Sequence, residues 1–386
     1  MKLKHFLALS LSAVVFASCD KDDDNKDPQT DNNPTYDIPE TYTFEDESGN
    51  NTVSYSGQAD RLNQLDEMTT LMKTGNTPGT RVDGQALKDM FANVNGNGNG
   101  NFSFSSSKQL KNKCANQFSD AEDIQADFES WMDKLDQISS QTETGVFDAS
   151  NGQAGCLNTD GAGPYLVDEN GFEPVQIIEK GLMGAVFYHQ ITGYYLTDEK
   201  IGDAVDNSAP VDPDNGKYYT AMEHHWDEAF GYFTTATNFP LEGTDRFWGK
   251  YSNTVDPHLG SNQKIMDAYL EGRAAISNGD MATKEEMRDI VIEELELVVA
   301  GTAIHYLNGG RENFSNDAIR VHQLSEAYAF LNDLRYNPNS IATPQQINAL
   351  LADLGNNFYD ISITDINSVR DELSAIYQLD AVKELL

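Results

Sequence analysis

The stretch DNGKYYTAMEHHWDEAFGYFTTA, residues 214–236, is where histidines, carboxylates and aromatic residues crowd onto one expected helix. An imidazole and a carboxylate three residues apart lie one helical turn from each other. They can ligate one metal ion, or act as a base and the group that orients it. Asp214-Asn215-Gly216 supplies turn and capping chemistry, and no proline follows until Pro240, so the spacing predicts about five turns of helix. On a wheel of roughly 100° per residue, Tyr219, Met222, Trp226, Ala229, Phe230 and Phe233 form an apolar stripe. Glu223, His224, Asp227 and Gly231 turn toward the far side, and His225, Glu228 and Tyr232 fall on the flank between. On that flank a polar group is half desolvated yet still faces a cavity, so His225 and Glu228 are the first candidate metal ligands. His224 is expected to face solvent. The plain alternative for the same spacing is a surface pair worth a few tenths of a kcal/mol. H-E-x-x-H is absent, so a conventional zinc-peptidase site is not built on this helix alone.

A second pair, His322 and Glu326 at i and i+4, lies on the helix expected over Ser315–Leu334 and offers possible metal ligands from a facing helix. Glu179, an acid near an apolar stripe, is a further candidate third donor, although exposure is its expected fate. His189, one turn before Gly193, is expected at a helix end where a cation favours the dipole, and His305 as a satisfied core histidine. Asp212, Asp214 and Glu223 fit positions 1, 3 and 12 of an EF-hand loop, but Lys217 stands where that loop needs glycine, which argues against calcium.

The elements that must position these residues read as helices. Apolar residues at helical spacing mark Gln58–Thr74, Asp83–Val94, a helix capped at Ser119 with Glu122 as in a capping box, Pro174–Leu196, Lys264–Ile276, Lys284–Leu307, Thr343–Leu354 and Thr364–Leu385. The run VVAGTAIHYL is apolar on all sides and therefore expected to be buried. NGNGNGNFSF from Asn95 is expected to be a flexible surface loop, and Gly145–Gly171 a long loop. No strand-length alternation stands out. The fold class is all-α, a helical-bundle protein.

Residues 1–18 carry Lys2 and Lys4, then an apolar core from Phe6 to Phe16, then small residues before Cys19. That order is an export signal, too short to span a membrane. Phe16-Ala17-Ser18-Cys19 resembles a lipobox, which makes Cys19 the lipidated N-terminus of the mature chain. Residues 19–45 read as an acidic tether and 46–386 as the folded domain. The formal charge is −36, with 26 Lys+Arg against 62 Asp+Glu. Nucleic acid is thereby an improbable partner, and attachment to a membrane has to come from acyl chains on Cys19. Cys114 and Cys156 remain, either paired in an oxidising compartment or free.

The lipobox, the helical pattern and the segments EHHWDEAFGYF, AGTAIHYL and HQLSEAYAFL together resemble the imelysin-like lipoproteins, and more closely an uncharacterised branch of them, a domain of unknown function. The resemblance implies two packed helical bundles and an outer-membrane lipoprotein, with surface exposure as one orientation. It also implies association with iron uptake. The imelysin motif G-x-H-x-x-E aligns on His225 and Glu228, with Glu223 in place of the glycine. Three functions follow as expectations. The first is a binding lipoprotein for a divalent or ferric metal ion, iron or zinc, or for an iron-bearing ligand, through His225, Glu228, His322 and Glu326. The second is a metal-dependent peptidase-like hydrolase with Glu228 as general base. The third is a structural or interaction lipoprotein of a surface uptake complex.

Overall fold

A computed structural model describes residues 36–145, 148–159, 162–240 and 246–386. The export signal, Cys19 and the tether as far as residue 35 lie outside the described residues. In chain order the helices are α1 (Ser56–Thr74), α2 (Gly84–Phe91), α3 (Ala121–Glu143), α4 (Pro174–Leu182), α5 (Asp198–Ile201) and α6 (Ala221–Phe233). The second half continues with α7 (Phe247–Leu259), α8 (Ser261–Asn278), α9 (Met281–Glu312), α10 (Asp317–Asp333), α11 (Pro344–Leu354) and α12 (Ile363–Ile376). The fold is an all-α bundle, as the 3.6-residue periodicity predicts, and Ile38–Leu386 form one compact unit.

The 32-residue α9 is the axis of this unit and packs against α7, α8, α10 and α12. Val298, Val299, Ala300, Ala303 and Ile304 are all fully buried, because the helix meets neighbours on every side of this stretch. Its small residues bring those neighbours close: a Cβ on Gly301 would stand 2.9 Å from Leu259 of α7. α4 runs on into two π-helical segments, Met183–Tyr188 and Ile191–Tyr195. The wider turn rotates the side chains that follow, and such segments recur at functional sites.

The structure departs from the sequence reading at several points. The loop expected over 145–171 contains an antiparallel hairpin, β1 (Gly155–Thr159) and β2 (Ala162–Val167), with Cys156 opposite Leu166 and Leu157 opposite Tyr165. Its strands, GCLNT and AGPYLV, are only five and six residues long, so alternation alone does not reveal them. The Asn/Gly stretch is not an open loop. It forms two 3-10 turns, with Asn95 and Asn99 in the left-handed region that asparagine tolerates. The Asn93 amide ties the segment down by donating to the carbonyls of Ser106 and Lys108. The sequence reading places no helix over residues 247–259, where α7 forms with Trp248 and Val255 anchored in the core. α3 begins at Ala121 with no side-chain cap, so the expected Ser119/Glu122 capping box does not form, and α12 stops at Ile376. The tether boundary also moves. Tyr42 is fully buried, stacked on Phe230 at 3.6 Å, and belongs to the folded unit. Cys114 and Cys156 are both buried and free, so the disulfide alternative does not hold.

Candidate functional site at helix α6

α6 is shorter than its spacing predicts. Asp214 and Asn215 lie in a separate 3-10 turn, and the helix starts at a capping box in which the Thr220 hydroxyl accepts from the Glu223 N–H while Glu223 accepts from the Thr220 N–H. The wheel's polar far side is not solvated. Glu223 and Asp227 are buried against Arg273 of α8, itself fully buried. The guanidinium donates to Asp227 Oδ1 at 2.9 Å, to Glu223 Oε1 at 2.7 Å, to the Ser277 hydroxyl, and to the carbonyl and hydroxyl of Thr52. Phe44 lies 4.9 Å beneath it. Asp227 also accepts from the Tyr42 hydroxyl and the Ser54 N–H. One buried cation therefore locks α6, α8 and the 42–54 segment into a single frame.

That frame fixes the flank. His224, His225 and Glu228 are partly covered, with side chains 30%, 26% and 16% exposed, so His224 is half-buried instead of solvent-facing. Its ring stacks on Tyr219 at 4.6 Å, and its Nδ1 lies 2.9 Å from the Ser54 carbonyl. A carbonyl only accepts, so Nδ1 carries the proton and Nε2 is turned toward Glu228 Oε2, 3.8 Å away. Burial lowers the pKa of His224 more than the Glu228 charge raises it, so its Nε2 presents a lone pair at neutral pH. His225 Nδ1 is 3.3 Å from the same Oε2. The other carboxylate oxygen, Oε1, accepts from Gln58 Nε2 at 2.9 Å and from the Tyr195 hydroxyl at 3.1 Å. Burial opposes ionisation of Glu228, but the bonds from His225 and Gln58 and the nearby His224 outweigh it and hold the carboxyl below its usual range.

The result is one carboxylate oxygen clamped by α1 and the π-helical turn, while the other faces two imidazoles. Metal-binding histidines commonly donate their second ring nitrogen to a carbonyl, and ligating carboxylates are themselves hydrogen-bonded. Among the described residues no group of three or more His, Cys, Asp or Glu side chains is arranged to hold a metal ion as it stands. The ring centroids of His224 and His225 are 6.2 Å apart, and Glu228 Oε2 lies 3.8 Å from His224 Nε2 and 3.3 Å from His225 Nδ1.

The structure does not bring the second pair to this place. His322 and Glu326 sit on α10, which packs on α4, α9 and the hairpin, whereas α6 packs on α1, α8 and the π-helical segment. His322 Nδ1 donates to Glu173 at 2.6 Å, and Glu326 faces Lys180. Glu179, expected to be exposed, is buried beside the same lysine. His189 does not stand at a helix end as a cation. It is fully buried, donates from Nδ1 to the Tyr336 carbonyl, and accepts the Gln117 N–H at Nε2, so burial drives its pKa down to about 4. His305 is only partly covered and lines the cavity beside His322, so it is not a core histidine. Of the EF-hand positions, Asp212 bonds Asn215 and Glu223 is held by Arg273.

Tyr195, Gln58 and Arg273 escaped the sequence reading. Arg273 carried a signal, since an arginine in the apolar run AYLEGRAAI has to find buried acids. Tyr195 carried none, because its aim depends on the π turn. Residues 39–380 match the model of a family described as a domain of unknown function, DUF4856. No curated protein and no solved structure matches the chain.

Proposed function

The chain belongs to the DUF4856 family, whose description assigns no activity, and from the chemistry of the α6 site we propose that it is an exported, lipid-anchored protein that binds a transition-metal ion or a metal-bearing ligand. Glu228 and His225 are the minimal ligand pair, and His224 completes the donor set once a ring turns. The observation that carries this reading is the convergence on Glu228 Oε2 of two imidazole nitrogens, one of them fixed in its tautomer by Ser54, while Gln58 and Tyr195 hold the opposite oxygen. Mixed imidazole and carboxylate donors suit iron, zinc and manganese. The similarity of EHHWDEAFGYF, AGTAIHYL and HQLSEAYAFL to the imelysin-like lipoproteins supports the same reading, and the lipobox-like FASC supports an acyl anchor at Cys19 in the outer membrane.

Elemental analysis of chain purified without chelators or a His tag, followed by calorimetric titration with zinc, manganese and ferrous iron, tests it. Stoichiometric binding lost in the His225→Ala/Glu228→Ala double variant, with unchanged helix content, is the expected result. No binding by the unaltered chain, or full binding by the double variant, overturns it. Labelling with a palmitate analogue in a Gram-negative host tests the anchor, with Cys19→Ser expected to abolish incorporation.

A further inference from the structure

Away from α6, a cavity of about 620 Å³ opens where α1, the hairpin, α4, α7, α9 and α10 converge. Its wall carries charge that is buried and already balanced. Lys180 Nζ, on a side chain 5% exposed, lies 3.0 Å from Glu179 Oε2 and 3.4 Å from Glu326 Oε1. His322 bridges Glu173 through Nδ1 and comes within 3.7 Å of Glu326 through Nε2. Tyr165 of β2 stacks on the His322 ring at 4.3 Å. Gln176 is 4% exposed and stands in the same wall with its amide oxygen unpartnered. Gln323 and Asn76 add further amides, and Tyr306 adds a partly open ring.

This chemistry narrows the ligand. Lys73, Lys180 and Lys250 balance Glu173, Glu179 and Glu326 at the wall, so a small anion meets no net attraction, and Lys180 occupies the position between Glu179 and Glu326 that a metal ion would need. A polycation would meet Lys180 inside and the exposed Lys73 and Lys250 at the opening. An apolar ligand would leave the Gln176 amide oxygen without a partner and would desolvate the Gln323 and Asn76 amides. What remains is a neutral molecule rich in hydroxyls. Its donors meet fixed carboxylate and amide oxygens in charge-assisted bonds, and its C–H faces lie on Tyr165 and Tyr306. We infer that this cavity is a binding site for a neutral carbohydrate of one or two sugar rings, read by Glu173, Gln176, Glu326 and Gln323 and separate from the α6 site.

Calorimetry or saturation-transfer NMR on the purified chain tests this with glucose, galactose, N-acetylglucosamine, maltose and cellobiose. Glucuronate, glucosamine, spermidine and zinc chloride serve as charged comparators. Saturable binding of at least one neutral sugar is expected. It should weaken about tenfold in Gln176→Ala and also fall in Gln323→Ala, a variant of a partly exposed residue that leaves the buried charges intact. Binding unchanged in His225→Ala/Glu228→Ala would separate it from the metal reading. Failure of every neutral sugar at millimolar concentration, stronger binding of a charged comparator, or undiminished affinity in both glutamine variants overturns the inference.

Discussion

Replacing Arg273 with methionine removes the cation that holds α6 in place and leaves the surrounding shape nearly filled. The guanidinium is fully buried and serves two buried acids, Asp227 and Glu223, together with Ser277 and both oxygens of Thr52. Removing one partner of a buried ion pair leaves an uncompensated charge and costs about 3–5 kcal/mol. With roughly 2.1 cal/mol/K of unfolding entropy per residue over the roughly 350 residues of the unit, that corresponds to a fall in Tm of about 4–7 °C. Differential scanning calorimetry reads it directly. Because Asp227 also holds the Ser54 N–H while Ser54 holds His224, the metal affinity proposed for α6 should fall alongside Tm. Adding Asp227→Asn and Glu223→Gln to Arg273→Met should recover part of the loss, since the stranded charges are then gone. A Tm within about 1 °C of the unaltered chain would refute the reasoning. So would a triple variant less stable than Arg273→Met.

Three further outcomes follow from the structure. His189 has an unfolded pKa of about 6.5 and a folded one of about 4, so the unfolded chain binds the extra proton. Its contribution is present above pH 6.5 and is lost as pH falls toward 4, up to about 3 kcal/mol. His189→Asn should flatten that part of the stability profile measured by urea titration. Tyr195→Phe removes one donor to Glu228 Oε1 and should weaken metal binding about tenfold with little change in Tm. Gly184→Ala would place a Cβ 2.0 Å from Asp333 Oδ1 and should destabilise by roughly 1–3 kcal/mol. Asp333→Ala should rescue it, because that buried carboxyl has no hydrogen-bond partner of its own to lose. Additive losses in the Gly184/Asp333 pair would count against direct contact.

Most of the helices were legible in the sequence because an amphipathic helix writes its period into the chain. α1, α9, α10 and α11 lie close to where apolar spacing and capping residues put them, and Thr343-Pro344 marks the α11 start to the residue. The candidate pair His225/Glu228 was also legible, since residues three apart on one helix meet whatever surrounds them. Everything that depends on a second element was decided by tertiary packing. The wheel could place Asp227 opposite the apolar stripe but could not know that Arg273 makes that side a buried one. It could not see that Ser54 fixes the His224 tautomer, or that a π turn aims Tyr195 at Glu228. Nor could it separate the two His/carboxylate pairs, because His322 and Glu326 acquire their meaning from Glu173 and Lys180, roughly 140–150 residues earlier in the chain. Local spacing sets which side chains share a helix face, and only the packing of distant segments sets the charge, burial and hydrogen bonds those side chains meet.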